Sequence, residues 1–308
     1  MSCSEDYFPF SVTKWPAGEI RKEGSMLNIL KKRTKNNGQE LRDLLSGYQL
    51  PSFSSAVINV LGMLRDPESA MNDIAKQLEI DPGMHVKVLK TVNSAAFGLT
   101  TKVANIPHAA SLLGRSRLES LVLSFAVKDT LPPPAVESFD TGQFWLSAAR
   151  RARLAQTLAQ QLHPTTQAES FSAGFLQDIA VQVLMATKKE SYCAVYDQWR
   201  NSPEERLDVL EKDAFGFDHP TVGALMIEEW DLPDYLSKMI SGHHHEDKTS
   251  EVEAAVRLVS HIRDNNELDG TDKFIESCQE EFGLEPDTTR VMVEKAFEEA
   301  EHLSQMLQ

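Results

Sequence analysis

Helical periodicity dominates this chain, and nothing in it supplies the alternation that a sheet needs. Phe53, Ala56, Val57, Val60, Leu61 and Leu64 fall on one stripe at the three-and-four spacing of a buried helix face. No β-branched run alternates with polar residues between hairpin turns anywhere in the sequence. The expected fold class is therefore all-α.

Breaks divide the helices. Asp66-Pro67 ends the first, and Ser69 is expected to cap the next, which buries Ile74, Ala75 and Leu78. Asp81-Pro82 places a capping carboxylate before a proline at the first helical position. The helix that follows carries Met84, Val88, Leu89 and Val92. A short helix near 107–113 stops at Gly114, and Leu118, Leu121, Val122 and Phe125 mark another. Leu131-Pro132-Pro133-Pro134 cannot continue a helix and reads as a subdomain boundary. Beyond it, helices are expected over 144–162, 168–186, 189–201 and 203–213. His219-Pro220 opens one more, and Leu232-Pro233 opens another that ends in His243-His244-His245. Stretches 251–264 and 286–307 complete the set. Residues 1–40 mix Phe8, Phe10 and Trp15 with basic residues and have no period, so they read as an extended or partly helical leader.

Charge and cysteine usage narrow the partners. The formal charge is −15, with seven Lys/Arg against four acids in 1–38 and three against twelve in 267–308. So acidic a chain is a poor partner for duplex nucleic acid, where cations must neutralise phosphates. The Lys31-Lys32-Arg33-Thr34-Lys35 patch reads as part of a solvated leader. No stretch is apolar for long enough to span a membrane, and the N-terminus lacks the order of a secretory signal. Cys3, Cys193 and Cys278 lie far apart and form no CxxC, which suits idle thiols in a reducing cytoplasm.

Several phrases occur in a telling order. Leu50-Pro51-Ser52-Phe53 comes first, then Asp81-Pro82, Lys87-Val88-Leu89-Lys90 and Val92-Asn93-Ser94-Ala95. Leu113-Gly114, Phe144-Trp145, Gly174-Phe175-Leu176 before Asp178, and His219-Pro-Thr-Val-Gly223 follow. Trp230-Asp-Leu-Pro233 and His243-His244 close the series. Together these resemble the HD-related output domain (HDOD) family of bacteria over roughly residues 45–265, with Asn93 and Ser94 in its most distinctive phrase. The resemblance implies a two-lobed helical HDOD domain over 41–265. Its first lobe covers about 41–130, and an HD-phosphohydrolase-like lobe covers about 140–265. An acidic helical extension, 266–308, follows. The family implies a signalling output or scaffold role near two-component and cyclic-dinucleotide proteins.

The same resemblance implies a metal centre that has lost ligands. HD enzymes use an early His, a His-Asp doublet, later histidines and a closing Asp. The matching positions here are Ser147, Gln177-Asp178, His219, His243-His244 and a residue near Ser260. A neutral amide is a poor replacement for imidazole on a transition metal. Asp178, His219, His243 and His244 are the residual ligand set. Their alternative reading is a group of side chains that hydrogen-bond one another, with His⁺ favoured at a helix C-terminus.

The other polar residues have plainer readings. Asn93-Ser94 suits a local backbone motif better than a binding site. Glu211 with Asp213 reads as a capping or surface pair. His245 reads as a solvated neighbour of the cluster, and His85, His108, His163, His261 and His302 are isolated. Trp145, Trp199 and Trp230 read as core anchors. Arg150, Arg151 and Arg153 cannot all face one cleft.

The expected function is a non-catalytic bacterial output or scaffold protein that contacts signalling proteins. It has no cofactor, or at most one residual divalent ion. Two alternatives stay open: a metal-dependent phosphohydrolase of nucleotides or cyclic dinucleotides, and a nucleotide sensor that uses the old cleft.

Overall fold

The computed structural model describes residues 38–94, 101–137, 139–245, 252–264 and 269–307. Among them there is no strand. The leader through residue 37 and the Ala95 part of the family phrase lie outside the described residues.

Helix α1 occupies 38–44 of the described chain. The first half continues with α2 (Ser55–Arg65), α3 (Met71–Glu79), α4 (Pro82–Val92) and α5 (Ile106–Thr130). Capping side chains start most of these helices. Ser54 Oγ accepts from Val57 N at 3.3 Å, Asp81 Oδ1 from Met84 N at 3.0 Å and Asn105 Oδ1 from His108 N at 2.9 Å. The expected Ser69 cap is corrected. Ser69 Oγ instead donates to Asp66 Oδ2 at 2.9 Å, and α3 begins after Ala70 without a side-chain cap. Gly114 ends the first helical segment of α5 as expected: its φ of 71° and ψ of 173° are non-helical, a backbone state open to glycine at little cost, and a second segment resumes beyond this kink.

The distinctive Asn93 ties the chain to itself. Its amide donates to Leu89 O at 2.9 Å and Val103 O at 2.8 Å, and its Oδ1 accepts from Val103 N at 2.7 Å. Ser94 Oγ donates to Thr91 O at 2.7 Å. Asn93 thus ends α4 and fixes the approach to α5.

The prolines after Leu131 lead into the second half. It contains α6 (Thr141–Leu162), α7 (Gln167–Leu176), α8 (Ile179–Lys188), α9 (Glu190–Asn201), α10 (Leu207–Phe215), α11 (His219–Glu229), α12 (Asp234–Gly242) and α13 (Ala254–Val259). Helices α14 (Thr271–Phe282) and α15 (Pro286–Leu307) follow, and sequence periodicity missed α14. Its helical face holds only Phe274, Ile275 and Cys278 as buried residues.

Most of these helices are too short to persist alone in water. Burial holds them. One apolar cluster runs from Leu41 to Leu303, through residues of both halves of the chain. A second joins Leu154 and Leu158 of α6 to Leu258, Phe274, Met292 and Val293, so α13, α14 and α15 are packed on the body. Each fully buried aliphatic side chain stabilises this arrangement by about 1.5–3 kcal/mol. Two family phrases meet across the halves: Trp230 Nε1 donates to Pro51 O at 2.9 Å, and the Trp230 ring lies 5.0 Å from that of Phe53. Helix α7 comes close to α6 because Gly174 has no Cβ. A Cβ there would stand 3.0 Å from both Arg151 O and the Ala155 side chain. That close approach brings the end of α7 beside Arg151.

Candidate metal centre

The stretch expected as one helix over 168–186 is in fact broken at the doublet. Helix α7 ends at Leu176 and α8 starts at Ile179, with Asp178 at φ −103° and ψ 15°. The break turns Asp178 toward the first residue of α11 and the residues that end α12. His219 is that first residue, and His243 caps the C-terminus of α12.

Four side chains converge there. One ligand atom from each of Asp178, His219, His243 and His244 lies within 4.8 Å of all the others. His219 Nε2 is 3.3 Å from His243 Nε2, 3.2 Å from His244 Nε2 and 3.5 Å from Asp178 Oδ1. His243 Nε2 is 3.3 Å from the same Asp178 oxygen. A tetrahedral zinc ion with bonds of about 2.0–2.1 Å holds its donors about 3.3–3.4 Å apart. Four of the six donor separations match that spacing, and the donor types suit such an ion in chemistry.

Neighbouring groups fix how the imidazoles present themselves. His243 Nδ1 donates to Ile240 O at 2.7 Å, which turns its Nε2 toward Asp178 Oδ1. Those two atoms attract when a proton or a metal ion lies between them. His219 Nδ1 donates to Glu211 Oε2 at 2.7 Å, and the His219 backbone N–H donates to the same oxygen at 2.6 Å. Tyr192 donates its hydroxyl to the other oxygen of Glu211. A carboxylate behind the imidazole is the usual support for a metal-bound histidine.

Electrostatics follow from the same contacts. Burial alone would lower the pKa of His219, but Glu211 and Asp178 outweigh it and raise it to about 10. Burial favours protonation of Asp178, yet Arg151, His219 and His243 hold its carboxyl well below the ordinary range. His244 goes the other way. Burial and the neighbouring His243 and His219 push it well below the usual imidazole value.

The remaining expectations divide. Glu211 is no surface residue. It is wholly buried behind His219, and no local pattern marks it because its partner lies eight residues away across a turn. Arg151 alone of the three arginines faces this cleft, with Nη2 at 3.1 Å from Asp178 Oδ2. Arg150 stacks over Phe297, and Arg153 pairs with Glu299. Gln177, in the place of the doublet histidine, is fully buried, and neither polar atom of its amide finds a partner. Ser147 is buried, with Oγ 3.4 Å from Arg263 O. Ser260 turns back to donate to Arg257 O at 2.6 Å. An acid does sit nearby, Asp264, but its carboxylate accepts from Tyr196 and pairs with Arg200 at 3.7 Å. His245 is exposed. A cavity of about 510 Å³ opens onto the cluster, lined also by Arg206, Arg263 and Trp199.

Comparison with known proteins agrees with this architecture. The HDOD domain model matches residues 50–246. The chain belongs to the HDOD family. An uncharacterized protein of Treponema pallidum (strain Nichols) is 25% identical over 198 residues, which is 63% of this chain and 37% of that protein. The chain thus spans well under half the length of that curated relative. An HDOD domain protein of unknown function from Geobacter sulfurreducens shares the fold, with a TM-score of 0.67, 17% identity, and coverage of 88% of this chain and 98% of that one. A candidate phosphohydrolase from Shewanella amazonensis SB2B gives 0.69, with 21% identity and coverage of 87% and 98%. A candidate signal transduction protein from Marinobacter aquaeolei VT8 gives 0.68, with 18% identity and coverage of 94% and 67%. Among the described residues no helix is long and apolar enough to cross a membrane.

Proposed function

We propose that this chain is a signalling output module that acts through protein–protein contacts without hydrolysis, and that its remnant HD centre holds one divalent ion in a structural role. Asp178, His219, His243 and His244 are the ligands. When bound, the ion supplies positive charge among three imidazoles and a carboxylate. Glu211 orients His219, and Ile240 O orients His243. The expected partners are cytoplasmic signalling proteins of two-component or cyclic-dinucleotide type, with no role for duplex nucleic acid or membrane. A relative of the same fold is named for signal transduction, which is in keeping with this reading.

The division of Asp178 carries the reading. Its Oδ1 faces the imidazoles, and its Oδ2 is held by Arg151. A guanidinium at that oxygen repels a second cation, and Gln177 and Ser147 offer that cation no anionic or imidazole donor. Four protein donors also close a tetrahedral ion, whereas a hydrolytic ion keeps a position open for water. The arginines around the cavity are engaged elsewhere. Arg206 binds Asp208 and His244 O, Arg263 binds the carbonyls of Trp199, Ser202 and Pro203, and Arg257 pairs with Glu281. Among the cavity's Arg and Lys side chains this leaves Lys273 for a phosphate.

Elemental analysis of the purified full chain, paired with a phosphodiesterase assay on bis(p-nitrophenyl) phosphate, tests this. The expected result is one zinc, iron or manganese ion per chain and no turnover. Two ions per chain, with turnover lost in Asp178→Ala, would reverse the assignment to a phosphohydrolase. Affinity capture that recovers only chaperones and abundant enzymes under several growth conditions would count against the scaffold role.

A further inference from the structure

Helix α6 carries polar chemistry on two faces. Arg151 faces the metal centre. Arg153, two residues on, is rotated by about 200° around the helix axis and faces away from it. On that side lies a second cavity of about 340 Å³, lined by residues of α4, α5, α6, α7 and α15.

Its charged lining residues are Arg117, Arg153, Lys295 and Glu299. Glu299 is engaged by Arg153, which also donates from Nη1 to Gln156 Oε1 at 2.8 Å. Arg117 of α5 and Lys295 of α15 pair with no carboxylate among the described residues. The cavity is thus net positive in a chain whose formal charge is −15. Two cations without a carboxylate partner at one cavity offer an anion two charge-assisted contacts. The other walls include the apolar side chains Leu121, Phe171 and Leu303 and the amide of Gln160. An apolar wall with a few convergent polar and cationic groups is the usual make-up of a small-molecule site. Ligand pockets run from about 300 to 1,000 Å³, so this one suits a mononucleotide better than a dinucleotide.

We infer that this cavity binds a mononucleotide, with its phosphate between Arg117 and Lys295 and its base against Phe171 and Leu121. Such a ligand ties α15 to the first half of the chain. The inference does not rest on the metal centre. It also involves residues beyond 246, where the family match ends.

Isothermal titration of the full chain with AMP and with GMP at low ionic strength tests it, with inorganic phosphate as a parallel arm. The expected result is saturable one-to-one binding of at least one nucleotide in the micromolar range. Binding weakens at least tenfold in Arg117→Ala, in Lys295→Ala and when inorganic phosphate replaces the nucleotide. Both side chains are exposed, so the variants should melt like the parent and keep its metal content. No binding of either nucleotide overturns the inference. So does binding that both variants leave unchanged, since the ligand then sits elsewhere. Inorganic phosphate binding as tightly as the nucleotides rejects the nucleotide and leaves a bare anion site.

Discussion

Buried Arg151 pairs with partly exposed Asp178, the guanidinium Nη2 standing 3.1 Å from the carboxylate Oδ2. Arg151 is only 2% exposed and also donates to Ile262 O at 3.2 Å. Breaking a fully buried pair costs about 3–5 kcal/mol, but Asp178 keeps some exposure and its contacts with His219 and His243, so Arg151→Met should lower unfolding stability by about 1–2 kcal/mol, as read by urea denaturation of metal-free protein. A loss within experimental error would show that the pair contributes nothing to stability.

Glu211 reaches the four-residue cluster through His219. Outer carboxylates of this kind change metal affinity by about 10–100-fold. Glu211→Gln keeps the size of the side chain and removes its charge. Chelator competition should show zinc affinity reduced by about that factor, with the number of ions per chain unchanged. Equal affinity in parent and variant would separate Glu211 from the centre.

Gln177 is the chain's departure from the HD doublet, and its amide is buried with no partner. An unsatisfied buried polar group costs about 1–3 kcal/mol. Gln177→Met, similar in length and free of that penalty, should raise unfolding stability by about 1 kcal/mol or more and leave the metal content intact. If the metal is lost instead, Gln177 is a ligand, and the four-residue centre is wrong.

His261 provides an acid-sensitive element away from the ligands. Burial, with Lys273 and Arg257 nearby, lowers its pKa to about 4. The unfolded chain takes up a proton near pH 6.5, whereas the folded chain resists it until about pH 4. The contribution of this residue is therefore complete above pH 6.5 and falls away as the pH drops from 6.5 to 4. It amounts to about 3 kcal/mol over that window. Thermal melting from pH 7 to 4.5 should show a smaller loss of stability in His261→Gln than in the parent. Parallel curves would assign the acid loss to other groups.

The sequence by itself determined the helical class and most helix starts. Those depend on contacts three or four residues apart, such as Asp81 with Met84 and Asp140 with Gln143. It also named Asp178, His219, His243 and His244, and it set Asn93 apart as a backbone-binding residue. Only the tertiary structure decided what surrounds them. Glu211 joins His219, Tyr192 joins Glu211, and Arg151 takes half of Asp178, across separations that no local period records. The helix break at Gln177-Asp178 also belongs to the tertiary level. Residues 168–186 are apolar enough to continue as one helix, and contacts from α6 and α11 govern where Asp178 turns. Periodicity reports which face of a helix is buried. What that face is buried against depends on the other helices.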